Sequence, residues 1–169
     1  MIASLGIGHD GSKMILGIRQ GATENATMVG ELFLGDLMSR GLDFTEPCLY
    51  VLDGGKTLHA AVKKYAGEGA PIQRCQVYKR RNVLDHVTDE TKPIVAQKMN
   101  AAYALEHYAT AKQSPDGLHR EHMHLNPSAA RSLAEGMEET LTVHRLHVPQ
   151  QLRLTLVSTN VIKAYPKSS

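Results

Sequence analysis

No stretch of this chain approaches the about 20 consecutive apolar residues that a membrane-spanning helix requires, so no span is expected. The first residues, Met1-Ile2-Ala3-Ser4-Leu5, lack a basic flank followed by an apolar run, the pattern of a secretory signal. Cys48 and Cys75 are the only cysteines. Two are too few for a disulfide framework and read as buried or idle thiols, which makes a cytoplasmic location the expectation. There is no HExxH and no CxxC pair, which removes the common zinc signatures. No Walker loop, GxSxG elbow or GxGxxG fingerprint is present, which removes the usual nucleotide-binding and serine-hydrolase signatures. Internal repeats and low-complexity tracts are absent too.

What is there suits one ordinary globular domain. The 169 residues are 42% hydrophobic and 21% charged, enough apolar material to bury a core. The net charge of +2 names no partner, but its distribution is uneven. Between Lys63 and Arg81 stand six bases, Lys63, Lys64, Arg74, Lys79, Arg80 and Arg81, against the single acid Glu68. Two readings fit: a solvated surface, or a patch that contacts nucleic-acid phosphates and releases counterions.

The pattern along the chain is α/β at first. Leu5–Ile7 and Met14–Ile18 flank Asp10-Gly11, a hairpin dipeptide. A helix follows, with Thr23 as its cap, Glu24 in its first turn, and Val29, Leu32, Phe33 and Leu37 on one face. Gly41 supplies its left-handed stop. Cys48–Leu52 reads as a strand buried on both faces and ends on Asp53-Gly54-Gly55. A second helix carries Leu58, Ala61, Val62 and Tyr65 and stops at Gly67. Ile72–Val77 reads as another strand, leading into a basic helix with Val83, Leu84 and Val87. From Asp89 the period is helical alone: Val95, Met99, Ala102, Leu105 and Ala109 form one stripe. After an interruption at Ser114–Gly117, Asn126 caps and Pro127 opens a helix with Ala130, Leu133, Met137 and Leu141 inside.

Asp53 is the foremost candidate for chemistry, since α/β sheets present reactive groups where strands end. Its glycines permit close approach of a ligand, and equally suit a turn aspartate that caps its own loop. His119, His122 and His124, with Glu121 among them, suggest a metal site. Spacing of three and five residues, however, does not bring three imidazoles to one helix face, so a solvated cluster is the plainer reading.

Read as words, the chain says more. Gly11-Ser12-Lys13-Met14-Ile15-Leu16-Gly17-Ile18, Thr23-Glu24-Asn25-Ala26 and Asp36-Leu37-Met38-Ser39-Arg40-Gly41-Leu42 resemble successive signatures of the Mutator-type bacterial insertion-sequence transposases. Asp53-Gly54-Gly55-Lys56-Thr57-Leu58 with Ala60-Ala61-Val62 is similar to that family's second catalytic aspartate and the helix after it. Gln73-Arg74-Cys75-Gln76-Val77-Tyr78-Lys79 with Arg81-Asn82-Val83 resembles its Q-R-C-x-x-H-K-x-R-N segment. Ser158-Thr159-Asn160-Val161-Ile162 resembles its T-T-N-x-I-E segment. The order is kept from residue 7 to 162.

The resemblance implies an RNase H-like α/β fold with an all-α insertion. On this reading residues 1–88 are a partial core that lacks the first strand, 89–147 the insertion, and 148–169 a return to the core followed by a divergent tail. It implies metal-dependent DNA strand cleavage and transfer with Mg²⁺ held by three carboxylates. Of these three only Asp53 is matched, as catalytic and metal-binding residue. The family's first aspartate lies upstream of the matched segments, the glutamate falls on Lys163, and the histidine of the C-x-x-H pair is Tyr78. The expectation is therefore a truncated, catalytically inactive transposase whose partner is element-end DNA, contacted by Arg74, Lys79, Arg80 and Arg81. A homo-oligomer or an intact transposase is the expected protein partner, and no membrane. A DNA-binding or subunit-interaction module regulating an intact copy is the alternative. A metal-dependent hydrolase built on Asp53 and the histidines is a third reading.

Overall fold

A computed structural model describes residues 1–20, 29–113, 117–118 and 126–163. The chain divides into two compact units. One is built from Met1–Tyr50, Gly55–Pro71 and the residues from Thr159 on, the other from Val51–Gly54 and Ile72–Ser158.

In the first unit, β1 (Ile2–Ile7) and β2 (Lys13–Arg19) pair antiparallel as the hairpin dipeptide predicts. Asp10 accepts from the Ser12 amide, and Gly11 turns at a φ of 78°. A shift of register between Ser4 and Leu5 inserts Leu16 as an extra residue in β2. Gly17 permits the packing behind β2: a Cβ there would come within 3.3 Å of Phe33, Leu37 and Arg40.

Phe33 and Leu37 belong to a π-helical turn, Gly30–Leu34, that continues as α1, Gly35–Ser39, and Arg40 is the C-cap of α1. The wider turn changes the expected face. An i→i+5 bond from the Gly35 amide to the Gly30 carbonyl rotates the following residues, so Leu34 joins Val29, Phe33 and Leu37 inside while Leu32 is 48% exposed. Thr23 and Glu24, the expected cap and first turn, lie outside the described residues. Gly41 stops the helix at a φ of 100°, as expected. Phe44 packs on the rings of Tyr50 and Tyr65, the latter on α2 (Lys56–Ala66), which ends at Gly67.

β3 (Tyr50–Leu52) and β4 (Ile72–Arg74) form the second two-stranded sheet. The Tyr50 amide reaches the Pro71 carbonyl and the Cys75 amide the Leu52 carbonyl, so partner numbers rise together and the strands are parallel. β3 is shorter than Cys48–Leu52 and only half-buried, because it pairs with β4 alone among the described residues.

The second unit continues through α3 (Gln76–Leu84), α4 (Lys92–Ala104), helical residues 108–113, α5 (Pro127–Ala134), α6 (Met137–Thr140), α7 (Thr142–Arg145) and α8 (Gln150–Leu156); α9 (Asn160–Lys163) belongs to the first. The strand expected over Ile72–Val77 stops at Arg74 because the Gln76 amide turns to the Val157 carbonyl and α3 starts there. Asn126 caps α5 through the Ala129 amide at 3.0 Å, with Pro127 in the first turn. Val83 of α3, Val95 and Met99 of α4, Leu133 of α5 and Met137 of α6 belong to one core cluster with Leu118. Leu105 and Ala109 depart from their expected stripe: α4 ends at Ala104, and Leu105 is extended and 40% exposed. Mixed α/β architecture is thus observed. The histidine cluster and residues 114–116 lie outside the described residues.

Candidate functional site

Asp53 leaves the carboxyl end of β3 and is exposed. Gly54 follows at a φ of 107°, a left-handed geometry that suits glycine, and extended Gly55 starts α2 by accepting from the His59 amide. Among the described residues no group of three or more His, Cys, Asp or Glu side chains could hold a metal ion, at Asp53 or elsewhere. These donors do not fit a pair of dications about 4 Å apart, which one carboxylate cannot neutralise.

The segment around Arg74 turns inward. Gln73 is fully buried; its amide nitrogen donates to the Arg74 and Thr140 carbonyls, both at 2.8 Å, and its oxygen accepts from the Val143 amide at 3.0 Å. Gln76 adds a second donor to the Thr140 carbonyl, and the Thr142 hydroxyl donates to the Ile72 carbonyl. Polar side chains thereby tie the α6–α7 corner to β4, where a further strand would otherwise supply the ladder.

The four bases expected at DNA are placed differently. Arg74 and Lys79 are inside, 8% and 1% exposed. Lys79 Nζ donates to the Ser132 and Glu135 carbonyls at the end of α5, where the helix dipole favours a cation. Arg74 Nη1 shares the Glu135 carbonyl at 3.2 Å. Burial, with the neighbouring Arg74 charge, pulls the Lys79 pKa down to about 8 against a smaller opposing pull from Glu135. Both side chains are committed to the fold, so neither presents a phosphate-binding group to solvent. Arg80 and Arg81 differ. Arg80 is half-exposed and donates to Asn100 Oδ1. Arg81 is exposed, with its guanidinium over the Tyr78 ring, 5.5 Å from the centroid.

A second pair of buried bases escaped sequence reasoning. Arg153 donates to the Leu105 and Glu106 carbonyls, both at 3.1 Å, and His144 Nε2 lies 3.2 Å from the Tyr103 carbonyl. They cap the end of α4 and explain why it stops at Ala104. Burial holds the His144 pKa below its ordinary value. No local signal marks either residue, since both act on carbonyls some 40 or more positions away. The polar groove between α3 and α5, lined by Asn82, Asp85, His86, Ser128 and Arg131, carries both signs of charge and no metal-holding group.

The described residues thus offer an acid at a strand end, a buried glutamine–arginine–lysine network, and a half-exposed and an exposed arginine on α3. The model of the Mutator transposase family matches residues 1–167, and the chain belongs to that family. No curated protein matches it.

Proposed function

We propose that this chain is a transposase by descent that binds DNA through the exposed face of α3 and does not itself cleave or join strands. The reading is carried by the incomplete acid set: Asp53 has no metal-holding group around it among the described residues, and the sequence has Lys163 where the family glutamate falls. A cation there repels the metals it would have to help bind. We also infer an RNase H-like core, supported by the β3–α2–β4 order with parallel pairing and by the acid at the end of β3.

For DNA, Arg81 supports the proposal best. Its guanidinium is exposed and has no carboxylate partner among the described residues, and Arg80 is beside it. Such contacts are to phosphate and independent of sequence. A chain that occupies DNA without cutting it would compete with an intact transposase for element ends, which is the regulatory alternative in its simplest form.

The test is anisotropy of a labelled duplex across salt concentrations. Affinity is expected to fall steeply with salt, and replacing Arg80 and Arg81 by Gln to lower the log–log slope by about one to two. Lys79→Met, which removes a buried amine, should leave the slope unchanged. An unchanged slope in the Arg80/Arg81 variant would refute the surface assignment. Strand transfer with Mg²⁺ that disappears on Asp53→Ala would refute the inactive reading.

A further inference from the structure

We propose that Arg74 is the positioning residue of the Asp53 turn, fixing it to the corner between α5 and α6. A side chain at position 54 is disfavoured twice: by the φ of 107°, and because its Cβ would lie 2.8 Å from Arg74 Nε and 3.2 Å from Nη2, so that the guanidinium would have to shift. The guanidinium fills the space that a residue after Asp53 would normally use. The same group lies against Gly136, also left-handed at a φ of 62°, where a Cβ would meet Nη1 and lie 3.2 Å from Cδ. Nη1 donates to the neighbouring Glu135 carbonyl.

Arg74 is itself well anchored. Its carbonyl accepts from Gln73 Nε2, and the next amide, of Cys75, reaches the Leu52 carbonyl at 2.7 Å. It forms no ion pair among the described residues, and its buried Nε has no hydrogen-bond partner. A buried donor left unbonded costs about 1–3 kcal/mol, so hydrogen bonding alone does not choose this position. Packing between two glycine corners does. A planar guanidinium spans both corners; the compact lysine ammonium cannot. The direction in which Asp53 leaves β3 is thereby set jointly by β4 and by the helical residues around Gly136. The inference rests on the reading of Asp53 as an acid of the reaction for its chemical meaning, whereas its test does not.

The experiment uses NMR on the labelled full chain and its Arg74→Lys variant. Protection of the Cys75 amide reports that the sheet is intact. The Hα–Hβ couplings of Asp53 report its rotamer, a quantity that a merely structural role would not move once the fold is kept. The expected result is one dominant Asp53 rotamer in the native chain and averaged couplings in Arg74→Lys, with Cys75 still protected. Couplings already averaged in the native chain, or unchanged in the variant, overturn the proposal. Should Arg74→Lys fail to fold, Gly54→Ala decides. Its Cβ must displace the guanidinium, so the Glu135 and Gly136 amide resonances are expected to shift with it. If they stay in place, the clamp is refuted. Strand transfer that disappears on Asp53→Ala would count against the inactive reading alone, and the Gly54–Gly136 coupling would stand.

Discussion

Lys79 shows how a base that looks like a DNA ligand becomes part of a core. Its ammonium has left water for two carbonyls at a helix end, and burial opposes the charge. The pKa falls from 10.5 to about 8. Between those values the unfolded chain holds a proton that the folded chain has released, so stability contributed by this residue rises with pH across that window and is flat below it. The gain is roughly 2–4 kcal/mol for a shift of this size. Urea unfolding at several pH values, compared with Lys79→Met, reads it as a difference that grows from pH 8 to 10.5; a constant difference would show that the amine is not buried. Gln73 is the matching neutral case. Gln73→Leu keeps the volume but leaves the Val143 amide without its acceptor and removes donors from two carbonyls. A loss of about 2–4 kcal/mol is expected in the same measurement.

At the level of elements, the two halves of the chain rest on different supports. α4 and α5 share a cluster of buried apolar side chains, and their terminal groups are capped by Lys79, Arg153, His144 and Asn126. Among the described residues the hairpin sheet has two strands only, with Met14 and Ile18 exposed on β2, and a lone hairpin is marginal in water. Amides of β2 are therefore expected to exchange with solvent before those of α4 at Val95 and Met99. Hydrogen exchange that protects β2 as long as α4 would mean that the hairpin is covered on its open side. The Asp10-Gly11 dipeptide predicted the hairpin, and helical spacing predicted α2 and Ala130 and Leu133 inside α5, whereas Met137 and Leu141 lie beyond the end of α5 at Ala134. That spacing missed the π-helical turn, because no residue type signals the extra residue that moves Leu34 inward and Leu32 outward.

For the whole molecule, the proposed chemistry of the family depends on acids converging from distant segments. On the proposed reading, which sets Lys163 at the place of the family glutamate, Lys163→Glu alone is expected to give no strand transfer or nicking, since it adds one carboxylate and no metal-holding group exists around Asp53 among the described residues. Metal-dependent nicking of a supercoiled plasmid by that single variant would reveal a substitute acid. No helix of the described residues is long and apolar enough to cross a membrane.

The sequence by itself determined many of the local elements and the family. Hairpin dipeptide, caps, glycine stops and helical stripes act through neighbours in the chain, and the motif words kept their order from end to end. Only the tertiary structure decided which bases are taken into the fold and which stay at the surface. Arg74, Lys79, Arg80 and Arg81 are close in sequence and alike in charge, and nothing local distinguishes them. The difference is made by carbonyls more than fifty residues away, at Ser132 and Glu135, which draw two of the four inward. A strand or helix assigns directions to side chains, but what lies in each direction is set by where distant segments pack.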